Sequence, residues 1–199
     1  MSSAPKLLIL SGLLCAAVTA AAQQPGAPPP PPRPMPDYSP QAWKEYQSDA
    51  GKFSVRLPGQ PKEMTTVREG AGGKVTINTW YYDRASFVSY NASWWDAPQG
   101  VGDVKVMLGH LRDQALERVA KDNHRVLKDE EITVDGRPGR FLVLDLNGKA
   151  FVRMRWAIVD NRIYLLTVQT LNHGPDAMMS ENGYEKIAMS FLDSFKLMK

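Results

Sequence analysis

Few residues in this chain are suited to chemistry, and their spacing decides little. The three histidines, His110, His124 and His173, match no metal-binding pattern such as H-E-x-x-H, and Cys15 has no second thiol to join it. They read as solvated or capping side chains. Serines such as Ser86 and Ser89 lack a neighbouring His and Asp in an order that would activate them. There is no G-x-S-x-G elbow, no P-loop and no G-x-G-x-x-G following a strand. Asp129, Glu130 and Glu131 form a short acidic run. Paired carboxylates do general acid–base work, but a run beside a strand reads first as a solvated edge that discourages edge-to-edge pairing. No catalytic residue, metal ligand or cofactor is expected, and the chain reads as a non-enzyme.

Two clusters remain as candidates for binding. Arg140, Arg153 and Arg155 offer guanidinium forks suited to an anion or a carboxylate. The alternative is that they snorkel to the rim or pair with acids on a covering helix. Trp80, Tyr81, Tyr82, Tyr90, Trp94 and Trp95 form an aromatic group. Trp80 and Tyr90 read as core, whereas Trp94 and Trp95 point to opposite faces at a strand end, which leaves one of them for a partner's apolar surface or a sugar ring.

The arginines belong to a stretch from Gly139 to Thr170 that reads as three antiparallel strands. Asn147-Gly148 is a strong hairpin signal, because a type I′ turn needs positive φ at both central residues; Asp160-Asn161 is a weaker one. With two residues in each loop, Leu144 pairs with Phe151, Leu142 with Arg153 and Arg140 with Arg155. The second hairpin then pairs Ile158 with Ile163 and Trp156 with Leu165. One face carries Phe141, Val143, Val152, Met154, Trp156, Ile158, Ile163 and Leu165. The other carries Leu142, Leu144, Phe151, Tyr164, Leu166 and Val168 with the three arginines. Both faces are apolar, so both must be covered.

Other elements supply the cover. Phe53 to Leu57, Lys62 to Glu69, Lys74 to Asp83, Ser86 to Trp95 and Val126 to Val134 read as strands. The hairpin between Lys74 and Trp95 carries Val75, Ile77 and Tyr81 against Trp80 and Tyr82, apolar or aromatic on both faces. Asp103 caps a helix running to about Ala120, with Val104, Met107, Leu108, Leu111, Ala115 and Val119 as its buried stripe. A second helix from about Glu181 to Ser194 buries Tyr184, Ile187, Ala188, Phe191 and Phe195.

The N-terminus speaks about place. After Lys6 comes an apolar run of signal-peptide length, too short to span a bilayer, and Ala20-Ala21-Ala22 fits a cleavage site that leaves Gln23 first. Leu14 before Cys15 spoils a lipid-attachment site. Residues 1–22 are therefore read as a signal peptide, 23–40 as a Pro-rich disordered spacer and 41–199 as the globular domain. The formal charge of +3 falls to +2 without Lys6, too little to argue for nucleic acid. The mature protein is expected to be periplasmic or secreted, monomeric and without a transmembrane segment.

Four motifs carry a resemblance: Phe53-Ser-Val-Arg-Leu-Pro-Gly-Gln-Pro61, Gly136-Arg-Pro-Gly-Arg140, Arg162-Ile-Tyr-Leu-Leu166 and Phe191-Leu-Asp-Ser-Phe-Lys-Leu197. With them the chain, from about Trp43 to Leu197, resembles a group of exported bacterial proteins that look PsbP-like. The resemblance implies an α+β fold, an α/β/α sandwich whose central, mainly antiparallel sheet is covered by a mid-chain helix and a C-terminal helix. It also implies a binding or assembly role with a protein or another envelope component. A carrier of a small anionic or apolar ligand, or a hydrolase without a recognisable motif, stand as alternatives. The candidate surface is Arg140, Arg153, Arg155, Trp94 and Trp95.

Overall fold

Strand follows strand wherever the sequence alternates or turns on Asn, Asp or Gly. The computed structural model describes residues 39–70, 73–84, 88–171 and 181–198, all within the unit Asp37–Lys199. The expected signal peptide with Cys15, the spacer up to residue 38, Ser86 and His173 lie outside the described residues.

Seven strands make the main sheet: β3 (Lys62–Gly70), β4 (Gly73–Arg84), β5 (Val88–Asp96), β6 (Arg125–Val134), β7 (Arg137–Asp145), β8 (Ala150–Val159) and β9 (Arg162–Leu171). Their order is β3-β4-β5-β9-β8-β7-β6, with every neighbouring pair antiparallel. Two meanders thus meet where β9 lies beside β5. The helix α1 (Val104–Val119) carries the chain from β5 to the far edge at β6. Asp103 caps it by accepting from the Val106 amide at 3.0 Å.

Each face of the β7–β9 meander is covered, as its apolar side chains demand. On one side α1 lays Leu108 and Ala115, with Val104, Met107, Leu111 and Val119 beside them, over Leu142, Leu144, Val152, Trp156, Ile158 and Ile163. On the other side lie α2 (Glu181–Asp193) and a second, three-stranded sheet of β1 (Lys44–Ser48), β2 (Phe53–Leu57) and β10 (Lys196–Leu197). The protein is therefore richer in sheet than a plain α/β/α sandwich. Phe53 is the hub of that layer, edge-on to Trp80 and Trp94, each with ring centroids 5.3 Å away, and stacked on Phe195 at 5.5 Å. Burying a side chain of this size contributes roughly 1.5–3 kcal/mol.

One expectation of register fails, and its failure relocates an arginine. Asn147 and Gly148 do adopt positive φ, 55° and 68°, but Lys149 adds a bulge. The Leu146 carbonyl accepts from Lys149 while the Leu146 amide donates to Ala150. Leu144 consequently pairs with Val152, Leu142 with Met154 and Arg140 with Trp156. A slip of one residue sends every side chain of β7 to the opposite face. Phe141 and Val143 pack towards α2, whereas Leu142 and Leu144 pack under α1. The second hairpin has the expected pairs, Ile158 with Ile163 and Trp156 with Leu165.

Candidate binding surface

The bulge separates the three arginines. Arg153 and Arg155, on β8, face α2; Arg140, on β7, lies on the α1 side. Arg153 is buried, donating from Nε to Glu185 Oε2 at 2.7 Å and from Nη1 to Thr170 Oγ1 at 3.3 Å. Arg155 reaches the Leu192 carbonyl and Asp193 Oδ1, both at 2.8 Å, and its guanidinium lies 5.6 Å from the Phe141 ring centroid. Arg140 donates from Nε to Asp129 Oδ1 at 2.6 Å, and Arg112 of α1 donates to Asp129 Oδ2 at 2.9 Å. Each guanidinium is engaged by an acid inside the fold, two of them with acids of α2.

The acidic run is divided in the same way. It lies on the edge strand β6, where Glu130 and Glu131 are exposed, but Asp129 turns inward between Arg140 and Arg112. Arg140 above all, with help from Arg112, holds the Asp129 carboxyl below the usual carboxylate range against its partial burial. Asp96 is lowered for the same reason by the two-pronged bond from Arg162. Beside Arg140, a cleft of about 50 Å³ is lined by Lys105, Leu108, Glu131, Pro138 and Gly139. His124 Nδ1 lies 3.0 Å from the Val119 carbonyl, and His110 is exposed on α1. Among the described residues, no three His, Cys, Asp or Glu side chains gather closely enough to hold a metal ion. No described helix is long and apolar enough to cross a membrane.

Trp94 is 7% exposed and points towards Phe53; Trp95 is half-buried on the α1 side. They occupy opposite faces, as their adjacent positions require, and neither stands out as an exposed platform.

What the sequence reading passed over is the outer half of the α1 side. The cross-strand rows on that face run from apolar to polar. Trp156 and Leu165 lead to Ser93, Thr79 and Met64; Met154 leads to Thr167, Asn91, Tyr81 and Lys62; Val152 leads to Gln169, Ser89 and Asp83. The apolar core under α1 draws on β7, β8 and β9 together with Trp95 and Ala97, and stops there. Beyond it lies a floor of hydroxyl and amide groups, with Val75 and Ile77 beside them on β4. Thr79 and Ser93 share a hydrogen bond at 2.8 Å, and Asn91 donates to Ser89 at 3.1 Å. Tyr81, Asn91, Ser89 and Thr167 are half-exposed, and Lys62 stands 5.9 Å from the Tyr81 ring centroid. The signal was present in Val88-Ser-Tyr-Asn-Ala-Ser-Trp94, where every second residue is polar. The expectation that the hairpin is apolar on both faces therefore fails for β5, whereas β4 does set Val75, Ile77 and Tyr81 on one face against Trp80 and Tyr82 on the other.

No family model matches the chain. No curated protein sequence matches it either. Among solved structures it is similar to cyanobacterial PsbP (CyanoP) from Synechocystis sp. PCC 6803, with a TM-score of 0.53 at 10% identity over 78% of this chain and 92% of that one. A protein of unknown function, PA94, from Pseudomonas aeruginosa matches at a TM-score of 0.36 and 14% identity, over 74% of this chain and 94% of that one. A protein from Bacteroides thetaiotaomicron VPI-5482 matches at 0.40 and 12%, over 78% and 48%. The first of these shows a PsbP-like fold; the other two superpose too loosely to add to it.

Proposed function

We propose that this chain is an exported, non-enzymatic binding or assembly domain, displayed on its Pro-rich stretch, that meets its partner with the outer half of the seven-stranded sheet. The observation that carries this reading is the group of half-exposed polar side chains Tyr81, Ser89, Asn91, Ser93 and Thr167, which lies outside the core under α1. Thr79 itself is buried, while Tyr81, Ser89, Asn91 and Thr167 carry donors and acceptors on three neighbouring strands and are half-exposed. Export rests on the apolar run after Lys6 and on Ala20-Ala21-Ala22.

The perturbed carboxylates among the described residues are accounted for by structural ion pairs. A general acid or base is tuned towards neutrality, whereas the two perturbed carboxylates, Asp96 and Asp129, are both pulled down by arginines. That is the direction of ion pairs that hold a fold together.

Site-specific photo-crosslinking in intact cells tests the reading. A benzophenone side chain at Tyr81 or at Asn91 is expected to give a discrete adduct, and the Tyr81 adduct is expected to be suppressed by an Asn91→Arg change on the same floor. The same group at Lys121, beyond α1, is expected to give none. Adducts from Lys121 alone, or turnover of ester or peptide substrates by the purified protein, would sink the proposal.

A further inference from the structure

The floor ends at β3, and that strand is an unusual edge. It is nine residues long, pairs with β4 without a bulge, and among the described residues has no strand paired to its outer side. Apart from Thr66, its side chains from Lys62 to Glu69 are exposed. Met64 is 51% and Val67 59% exposed, one on each face. The opposite edge is guarded differently: β6 has a register break between Val126 and Lys128, and Asp129 is drawn inward. On β3, among the described residues, the guard is charge placement.

That placement follows a rule. The α1 side reads Lys62, Met64, Thr66, Arg68; the other side reads Glu63, Thr65, Val67, Glu69. Each face is a pair of like charges bracketing an apolar or hydroxyl centre, cationic on one side and acidic on the other. Arg118 at the end of α1 adds to the cationic side, its pKa held down by burial and then by the charge of Arg68. The acidic side is only loosely occupied. Glu69 meets Lys74 in an exposed pair at 3.2 Å, worth little, and Glu63 accepts from the Trp80 indole at 2.9 Å.

Two folded copies are poorly matched across this edge. Bodies on opposite sides of a shared antiparallel edge are related by a rotation that keeps each face on its own side, so opposed residues share a face. Full overlap then sets Glu63 against Glu69, and the register centred on Thr65 sets Lys62 against Arg68. The register centred on Val67 avoids both, but it slides the Lys62–Glu63 end out of the sheet and leaves every charge without an opposite. A free extended strand has no such constraint, because it can turn over. Run antiparallel, the ideal match presents acids to Lys62 and Arg68, bases to Glu63 and Glu69, and apolar residues to Met64 and Val67.

We infer that β3 is a docking edge that takes up an extended, charge-alternating segment of a partner protein as an additional antiparallel strand. This rests on the reading of the chain as a binding domain and gives that domain's partner a chemistry. The chain's own Pro-rich stretch does not qualify, since proline lacks the N–H that a ladder needs.

The octapeptide Lys-Glu-Met-Thr-Thr-Val-Arg-Glu has the required pattern and serves as the probe. Titrated into 15N-labelled protein, it is expected to give saturable amide shifts centred on residues 62–69. A peptide with the charges exchanged, Glu-Lys-Met-Thr-Thr-Val-Glu-Arg, is expected to bind about fivefold more weakly. A Lys62→Glu/Arg68→Glu protein should reverse the preference, favouring Lys-Lys-Met-Thr-Thr-Val-Arg-Lys over the original peptide. Both substitutions lie on exposed side chains, so folding is expected to be unaffected. Equal affinity for the peptides, or no shift along β3 at millimolar peptide, overturns the assignment. So does a β3-mediated dimer in sedimentation that the double substitution abolishes. Crosslinks from Tyr81 or Asn91 without any peptide binding at β3 would refute the edge and leave the binding-domain reading standing.

Discussion

Arg140 and Asp129 meet diagonally across two neighbouring strands, with Nε donating to Oδ1 at 2.6 Å, while Arg112 reaches the same carboxylate from α1 at 2.9 Å. One half-buried acid thus ties the edge strand β6 to β7 and both to the helix above. Because these arginines lower the Asp129 pKa in the folded protein, its contribution to stability is complete above the unfolded-state value of about 3.9 and is lost as pH falls through the lower folded-state value. Asp129→Asn is expected to lower stability at pH 7 and to flatten the acid limb of urea-unfolding stability measured between about pH 5 and pH 2. An unchanged acid limb would refute the role given to Asp129.

Glu185 is the carboxylate that answers the buried Arg153. Glu185→Gln is expected to cost about 1–3 kcal/mol, because the guanidinium stays desolvated after losing its charged partner. The cost is moderated by Glu185 itself being half-exposed. Chemical denaturation reads this directly. A loss under about 0.5 kcal/mol would mean that Thr170 and water suffice.

Gly139 is buried where β7 passes closely under β8. A Cβ there would run into the Trp156 carbonyl oxygen and, at 2.9 Å, Val134 Cγ2. Backbone does not swing aside as a side-chain tip does. Gly139→Ala is expected to destabilise by about 1–3 kcal/mol, visible as a lower urea midpoint with the slope unchanged.

Deleting Lys149 is expected to be tolerated. Without it, Asn147-Gly148 joins Leu146 directly to Ala150, the pair that already closes the ladder, as a regular two-residue hairpin. Stability should shift by less than about 1 kcal/mol, with nuclear Overhauser contacts still placing Arg140 opposite Trp156. A re-registered hairpin pairing Arg140 with Arg155 would contradict the account of the bulge.

The bulge also marks where sequence stops being informative. The turn at Asn147-Gly148, the cap at Asp103 and the buried stripes of both helices follow from residue types and were legible. One extra residue after a sound turn signal leaves no compositional trace, yet it moved Arg140 away from Arg153 and Arg155. β1 was missed because Lys44-Glu-Tyr-Gln-Ser48 is largely polar and exposed, and β10 because two residues carry no periodicity. The polar floor was legible in Ser89, Asn91 and Ser93. The apolar second face that was expected of the whole hairpin is present on β4 at Val75, Ile77 and Tyr81 but not on β5.

The three-stranded sheet has a consequence in time as well as space. Its last strand comes from Lys196 and Leu197, and the Met198 amide donates to the Lys52 carbonyl at 2.9 Å. Phe191 and Phe195 complete an aromatic core begun at Phe53, and the Arg56 amide waits for Ser194, 138 residues downstream. Closing such distant contacts is slow. A chain emerging from the ribosome therefore cannot seal this core until almost the whole domain has been made. Until then the layer around Phe53 lacks Phe191, Phe195 and the third strand of its sheet, however early the local hairpins of the main sheet have formed.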